Sequence, residues 1–248
     1  MSIRRLFCSR RRIEDGVFTI SGEEAHHGLK VLRLRQGDDV FIFTEQGSEF
    51  LCSVLSTSKN QFKAQIVEKL GNTVESPLTI NLIQGMPKAA KLEQIIVHST
   101  ELGLDRMYPV ITERSIKTGE RRERWRRLAL EATKQSGRRA IPFIEPITHL
   151  EKLDFQAFDN GLKLVAVEPP EGGSLDDILQ AHPRCSEVTV TIGPEGGFTG
   201  EEIDFLIDKS FLPFTIGPRI LRTQTASLAI FAILQFELGD WTAGTARI

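Results

Sequence analysis

The chain has 248 residues, 40% hydrophobic and 26% charged, with a formal net charge of −2. That supplies enough apolar material for one large domain or two smaller ones, and the near-neutral balance argues against indiscriminate nucleic-acid binding. There is no apolar run of about 18 residues, no secretory-type apolar stretch in MSIRRLFCSRRRIEDG, and no metal-ligand spacing among Cys8, Cys52 and Cys185, so a cytoplasmic protein with reduced thiols is expected.

From Val17 to Leu70 apolar and polar residues mostly alternate, in VFTIS and in DDVFIFTEQGSEFLCSVLSTSKNQFKAQIVEKL, with turn signals at Gln46-Gly47 and Lys59-Asn60. Several short strands predict a small β-barrel or sandwich. One helical insertion, GEEAHHGLKVLRLRQGD, interrupts them and turns Ala25, Leu29 and Leu32 inward. Glycine, asparagine, serine and Pro77 cluster in LGNTVESP, which divides the chain into domains over 1–72 and 73–248.

Beyond that boundary hairpins give way to strand-helix units, the pattern of an α/β domain. LTINLIQG reads as a buried parallel strand, AAKLEQIIVHSTELG as a helix ending on Gly103, and DRMYPVIT as the next strand. GERRERWRRLALEATKQSGRR is a helix with Trp125, Leu128 and Ala132 inward, followed by IPFIEPI. GLKLVAVEPP and EVTVTIGP supply strands on either side of SLDDILQAH, where Ser174 and Asp177 form a capping pair. FTGEEIDFLIDKS is a helix opened by the capping box of Thr199 and Glu202, and LPFTIGP is a strand. The last element, Thr225 to Leu238, is apolar nearly all round, so the sheet or a partner subunit must bury it.

The tetrapeptide TIGP thus ends two strands, at Thr191–Pro194 and at Thr215–Pro218. Proline has no ladder N–H and glycine accepts angles closed to other residues, so each copy stops its strand. A parallel crossover puts both turns on the carboxyl rim of one sheet, where open α/β sheets bind ligands. Either turn alone reads equally well as the closure of a crossover; two on one rim favour a ligand site. The exposed backbone of GPEGG and GPRILRTQTA suits a neutral adenosine-like group better than a triphosphate. GPEGGFTG lacks the Gly-x-Gly-x-x-Gly order and no phosphate-binding Gly-x-x-x-x-Gly-Lys-Ser/Thr occurs, which counts against NAD and ATP. Neither Gly-x-Ser-x-Gly nor His-Glu-x-x-His is present, and adjacent His26 and His27 cannot both face one metal on a helix, so no metal is expected.

Basic residues are unevenly placed. Arg4, Arg5, Arg10, Arg11 and Arg12 have no acid among the first twelve residues, and Arg114 to Arg139 holds ten Lys/Arg against three Asp/Glu. Two such patches on an overall acidic chain fit RNA contacts through phosphates. With Phe7 and Trp125 the only nearby rings, shape and phosphates dominate over base stacking.

The stretches HHGLKVLRL (His26–Leu34), KAAKLEQIIVHSTELGL, TERS (Thr112–Ser115), EATKQSGRRAIP, IGPEGGFTGEE and IGPRILRTQTA together resemble the RsmE family of bacterial 16S ribosomal RNA uridine-N3-methyltransferases, in the SPOUT superfamily. The match spans nearly the whole chain. The resemblance implies an N-terminal PUA-like β-barrel that grips RNA and a C-terminal α/β domain with a parallel sheet and a deep trefoil knot. It further implies a homodimer through the knotted region, S-adenosylmethionine as cofactor, and methylation of uridine 1498 of 16S ribosomal RNA in the small subunit. By matching motifs, Gly193, Pro194, Glu195, Gly196 and Gly197 form one wall of the cofactor pocket. Ile216, Gly217, Leu221, Arg222, Thr223, Thr225 and Ala226 form the other, and Val167-Glu168 supplies a third. The RNA-binding set is Arg4, Arg5, Arg10, Arg11, Arg12, His26, Arg33, Arg114, Arg138 and Arg139.

Uracil N3 must lose its proton as it attacks the sulfonium methyl, which calls for positive charge near O2 or O4 and for a proton acceptor. Arg222 is the leading candidate for stabilising the uracil anion, with Arg5 and Arg138 as alternatives. The chain departs from the family at Gln224, where the family usually has Glu, and glutamine accepts no proton as a base. Either the position orients the loop and water or Glu195 takes the proton, or the chain is a catalytically impaired ribosome-assembly factor. A SPOUT enzyme with another target is the third reading.

Overall fold

The computed structural model describes residues 4–8, 13–44, 47–71, 75–116, 119–169 and 171–241; Arg10, Arg11, Arg12 and Gln46 lie outside them. Contacts divide the chain into two units, Met1–Glu75 with Thr133–Ile141, and Ser76–Ala132 with Pro142–Ile248. The chain thus returns to the first unit for a short stretch midway through the second.

The first unit comprises β1 (Arg5–Phe7), β2 (Ile13–Glu14), β3 (Val17–Ser21), α1 (Glu23–His26), β4 (Asp39–Phe43), β5 (Glu49–Thr57) and β6 (Gln61–Leu70). The strands form one mixed half-barrel sheet in the order β1-β4-β5-β6-β3-β2, with β1 parallel to β4 and the other pairs antiparallel. The alternation in β3 and β6 puts Phe18, Ile20, Phe62 and Ala64 into one core with Leu6, Val40 and Val54. The expected helical insertion is short: α1 passes into a π-helical turn, His27–Val31. That wider turn presses Gly28 against the core, where a Cβ would stand 2.9 Å from the Phe62 ring. Ala25 is buried and Leu29 and Leu32 pack on the same core.

Three of the arginines expected to bind RNA are fasteners inside this unit. Arg5 and Arg139 donate through Nε to the two oxygens of Glu49, at 2.6 and 2.8 Å, and Arg138 donates to Glu75 at 2.8 Å. All three arginines are buried, at 6%, 7% and 5% exposure. A desolvated guanidinium is tolerated only when paired, and these pairs join residues far apart in sequence, which a charge count cannot see. Arg4 forms an ion pair with Asp38 at 2.9 Å, while His26 and Arg33 are exposed.

The second unit holds β7 (Thr79–Gly85), α2 (Ala89–Glu101), β8 (Leu104–Ile111), α3 (Arg122–Ser136, whose last turn lies in the first unit), β9 (Phe143–Ile144), β10 (Thr148–His149), β11 (Leu162–Ala166), β12 (Gly173–Ser174), α4 (Leu175–Ala181), β13 (Glu187–Ile192), α5 (Gly200–Asp208), β14 (Leu212–Thr215) and α6 (Thr223–Glu237). The sheet is parallel throughout in the order β10-β8-β7-β13-β11-β14-β12, with β9 beside β8. β7 and β13 are buried on both faces, with Ile80, Leu82, Ile83, Val188, Val190 and Ile192 in the core and the polar Asn81, Gln84, Thr189 and Thr191 buried beside them. Gly103 ends α2 at φ +94°, and the capping box of α5 forms in both directions, Glu202 N–H to Thr199 Oγ1 and Thr199 N–H to Glu202. The α5 crossover skips one position, so β11 lies between β13 and β14.

Candidate functional site

The strand order builds the site. Chain reversals after β13, β11 and β14 stand side by side at the carboxyl rim and enclose a cavity of about 610 Å³, within the usual range for a small-molecule site. Both TIGP turns are walls of it, with Val167 and Glu168 between them.

The β13 wall is heavily braced. Gln84, fully buried near the end of β7, shares the two hydrogens of its Nε2 among Gly85 O, Ile192 O, Gly193 O and Thr223 Oγ1, which lie at 2.9 to 3.3 Å. The Thr223 hydroxyl in turn donates to Gly193 O at 2.8 Å, tying the start of α6 to the first Gly-Pro step. Gly85 is obligatory because a Cβ there would stand 2.6 Å from the Pro194 ring. The turn Pro194 to Gly197 closes by a 3.0 Å bond from Gly197 N–H to Pro194 O, with Gly197 at φ +67°.

Glu195 Oε1 accepts from the Lys88 amide at 3.1 Å and lies 3.2 Å from Lys91 Nζ. Burial pushes its carboxyl pKa up, but the hydrogen bonds from the Lys88 amide, its own amide and Lys91 outweigh burial and hold it below the usual value. A carboxylate so engaged braces the turn against α2, and a lowered pKa makes it a weaker proton acceptor than a free carboxylate; sequence offered it, beside water, as the acceptor. Arg114, expected on RNA, lines the cavity and donates Nη1 to Gly196 O at 2.8 Å and Phe198 O at 3.2 Å.

The β14 wall is more open. Ile216, Gly217, Leu221 and Arg222 line it as expected, together with Arg219 and Ile220, which sequence reasoning missed. Ile220 is 70% exposed at the rim. Arg222 caps α6 through its carbonyl, which accepts from the Thr225 and Ala226 amides at 2.8 Å, and its side chain is exposed. Thr223 and Ala226 line the floor, whereas Gln224 and Thr225 do not line the cavity. Gln224 Oε1 is buried without a hydrogen-bond partner among the described residues. Position 224 therefore adds nothing to the cavity lining, although its neighbours Thr223 and Ala226 do.

Gln84 and Lys91 were also missed. The only signal for Gln84 is a polar residue near the end of a largely buried strand, and for Lys91 its place in the KAAKLEQ stretch. Apolar Ile192, Phe198 and Ile230 beside the carboxylates of Glu168 and Glu171 fit a ligand with a flat apolar part and a positive centre, and Arg222 and Arg219 stand ready for an anion. Among the described residues no group of three or more His, Cys, Asp or Glu could hold a metal ion, and no helix is long and apolar enough to cross a membrane.

A parallel sheet with three loop walls at its carboxyl rim, in a chain with a small mixed-sheet unit, defines an RNA methyltransferase build: the RNA methyltransferase domain family matches residues 74–235 and the RNA methyltransferase PUA domain family residues 20–67. A ribosomal RNA small subunit methyltransferase E from Bacillus subtilis is 31% identical over 240 residues, covering 92% of this chain and 94% of that protein. The chain belongs to the ribosomal RNA small subunit methyltransferase E family. A crystal structure of the Neisseria gonorrhoeae member bound to S-adenosyl methionine is 30% identical with a TM-score of 0.87, covering 97% of this chain and 100% of that one. A putative methyltransferase from Legionella pneumophila with bound SAM is also 30% identical, with a TM-score of 0.84 and the same coverage.

Proposed function

We propose that this chain binds S-adenosylmethionine in the rim cavity and methylates N3 of a specific uridine, 1498, in 16S ribosomal RNA of the small subunit. The observation that carries the reading is the pairing of the two Gly-Pro walls around one cavity, in a family whose Neisseria member was crystallised with this cofactor. The residues fit the group: the apolar walls suit adenine, and Glu168 and Glu171 suit the cationic part of the donor. Bound there, the cofactor supplies an electrophilic methyl.

The chain's own residues do the rest. The exposed Arg222 guanidinium, at the N-terminal end of α6 where no side chain makes a cap hydrogen bond, stabilises the negative charge that uracil oxygens gain as N3 loses its proton. With Glu195 engaged by Lys88 and Lys91 and Gln224 absent from the cavity lining, the proton goes to water. The uridine must be exposed or flipped to reach the cavity, at a cost of a few kcal/mol.

The half-barrel unit grips RNA through its surface cations, and the second unit dimerises through α6, where Leu228 and Phe236 are 40% and 50% exposed. A trefoil knot completes this reading of the fold. The test is incubation of the protein with labelled cofactor and unmodified small ribosomal subunits, followed by nucleoside analysis. Label in 3-methyluridine, with reverse transcriptase stopping at that position, is expected; label in a ribose-methylated nucleoside or in none refutes the reading.

A further inference from the structure

Arg114 has the type and setting of a phosphate contact, on an exposed turn between β8 and the basic helix α3. Its bonds tell a different story. Nη1 is shared between the carbonyls of Gly196 and Phe198, and its stem lies where a Cβ on Gly196 would meet Arg114 Cβ and Cδ at 3.3 Å. The turn carrying Arg114 is itself closed, with the Thr112 amide donating to Ser115 Oγ at 2.9 Å. A second tie joins the same two segments: the Glu113 amide donates to Glu202 Oε1 at 2.7 Å, from the residue that completes the α5 capping box.

Peptide groups are rigid planes, so holding a carbonyl fixes the amide that follows it. Arg114 holds Gly196 O, and the next amide, Gly197 N–H, donates to Pro194 O; it also holds Phe198 O, and the next amide, Thr199 N–H, donates to Glu202. Both planes flanking Gly197 and Phe198 are therefore pinned at each end. Those two residues line the cavity, and Gly197 lies so near Gly193 that a Cβ on Gly193 would stand 3.0 Å from it.

We propose that Arg114 is a positioning residue that holds the Pro194 to Phe198 wall in its ligand-receiving form, and is not an RNA phosphate contact. The inference rests on the reading of the cavity as the cofactor site. Its test uses the full-length protein and compares wild type, Arg114→Ala and Arg114→Lys in S-adenosylhomocysteine affinity by calorimetry without RNA, in steady-state methyl transfer, and in the salt dependence of RNA binding. Losing two hydrogen bonds to the wall is expected to raise the dissociation constant and the cofactor KM of the alanine variant roughly tenfold. Its kcat at saturating cofactor and its salt slope should stay near wild type, and lysine, which keeps a cationic donor on a flexible stem, should recover part of the affinity. Gly196→Ala, which crowds Arg114, should weaken cofactor binding in wild type more than in the alanine variant. Unchanged affinity with a shallower salt slope would make Arg114 a phosphate contact and overturn the proposal, as would no change in either. Wild type failing to bind S-adenosylhomocysteine would instead refute the cofactor reading itself, and this inference with it.

Discussion

Two sets of arginines look alike in the sequence and live under opposite conditions. Arg5, Arg138 and Arg139 are buried in the half-barrel unit and committed to Glu49 and Glu75, while Arg219 and Arg222 are exposed along the rim cavity. The difference teaches that a guanidinium is available to a ligand only where the fold has not already spent its hydrogen bonds on a carboxylate. The strongest way to break the comparison is Glu49→Ala, which strands Arg5 and Arg139 without their shared partner; Arg5 Nη2 already has none among the described residues. A loss of about 3–5 kcal/mol is expected in urea unfolding. A loss below about 1 kcal/mol would mean that these arginines find water on their own and belong with the surface set.

At the rim the corresponding change is Arg222→Ala. Removing a cation that stabilises developing charge is expected to cost roughly 10²–10³ in kcat, as for a lost oxyanion donor, with cofactor affinity within a few-fold of wild type. Stability should hardly move, because the side chain is exposed and the cap is made by its carbonyl. Turnover equal to wild type would remove Arg222 from the chemistry.

A smaller effect separates Glu75 from ordinary carboxylates. Burial pushes its pKa up, but Arg138 and the amides of Ala140 and Arg139 outweigh that and hold the folded-state value below the ordinary 4.5. A group lowered on folding stabilises the fold above its unfolded pKa, and that contribution is lost as pH falls through the acid range. Glu75→Gln should therefore flatten the fall in unfolding midpoint between roughly pH 6 and pH 3. An acid limb as steep as that of wild type would assign the dependence to other carboxylates.

What the sequence made legible was local. The capping box at Thr199, the glycine end of α2 at Gly103 and the two Gly-Pro strand ends depend on neighbours a few residues away, and all form. The insertion of β11 between β13 and β14 was not legible, because strand order is fixed by packing across the sheet. For the same reason Val167-Glu168 could be assigned to the pocket by motif but not to its centre. The role of Gln84 escaped because its partners Ile192, Gly193 and Thr223 are more than 100 residues away. The buried arginines were misread because their acids lie 44 to 90 positions distant. Long-range pairing is what a linear reading lacks, and it decides between a fastener and a contact.

Arg33 belongs to neither set and offers the finest test. It is exposed in the half-barrel unit at φ +53°, and no ion pair holds it among the described residues. If that surface meets RNA phosphates, Arg33→Gln should leave the unfolding midpoint within about 0.5 kcal/mol of wild type. The slope of log affinity against log salt should become shallower by about 0.7–0.9, the release expected for one phosphate contact. A neutral residue at Arg4, whose ion pair with Asp38 is partly exposed, should shift the slope less, since Asp38 already offsets its charge. A slope unchanged by Arg33→Gln would place RNA recognition on another face of the half-barrel, for the buried arginines cannot reach a phosphate without breaking the pairs that Glu49→Ala measures.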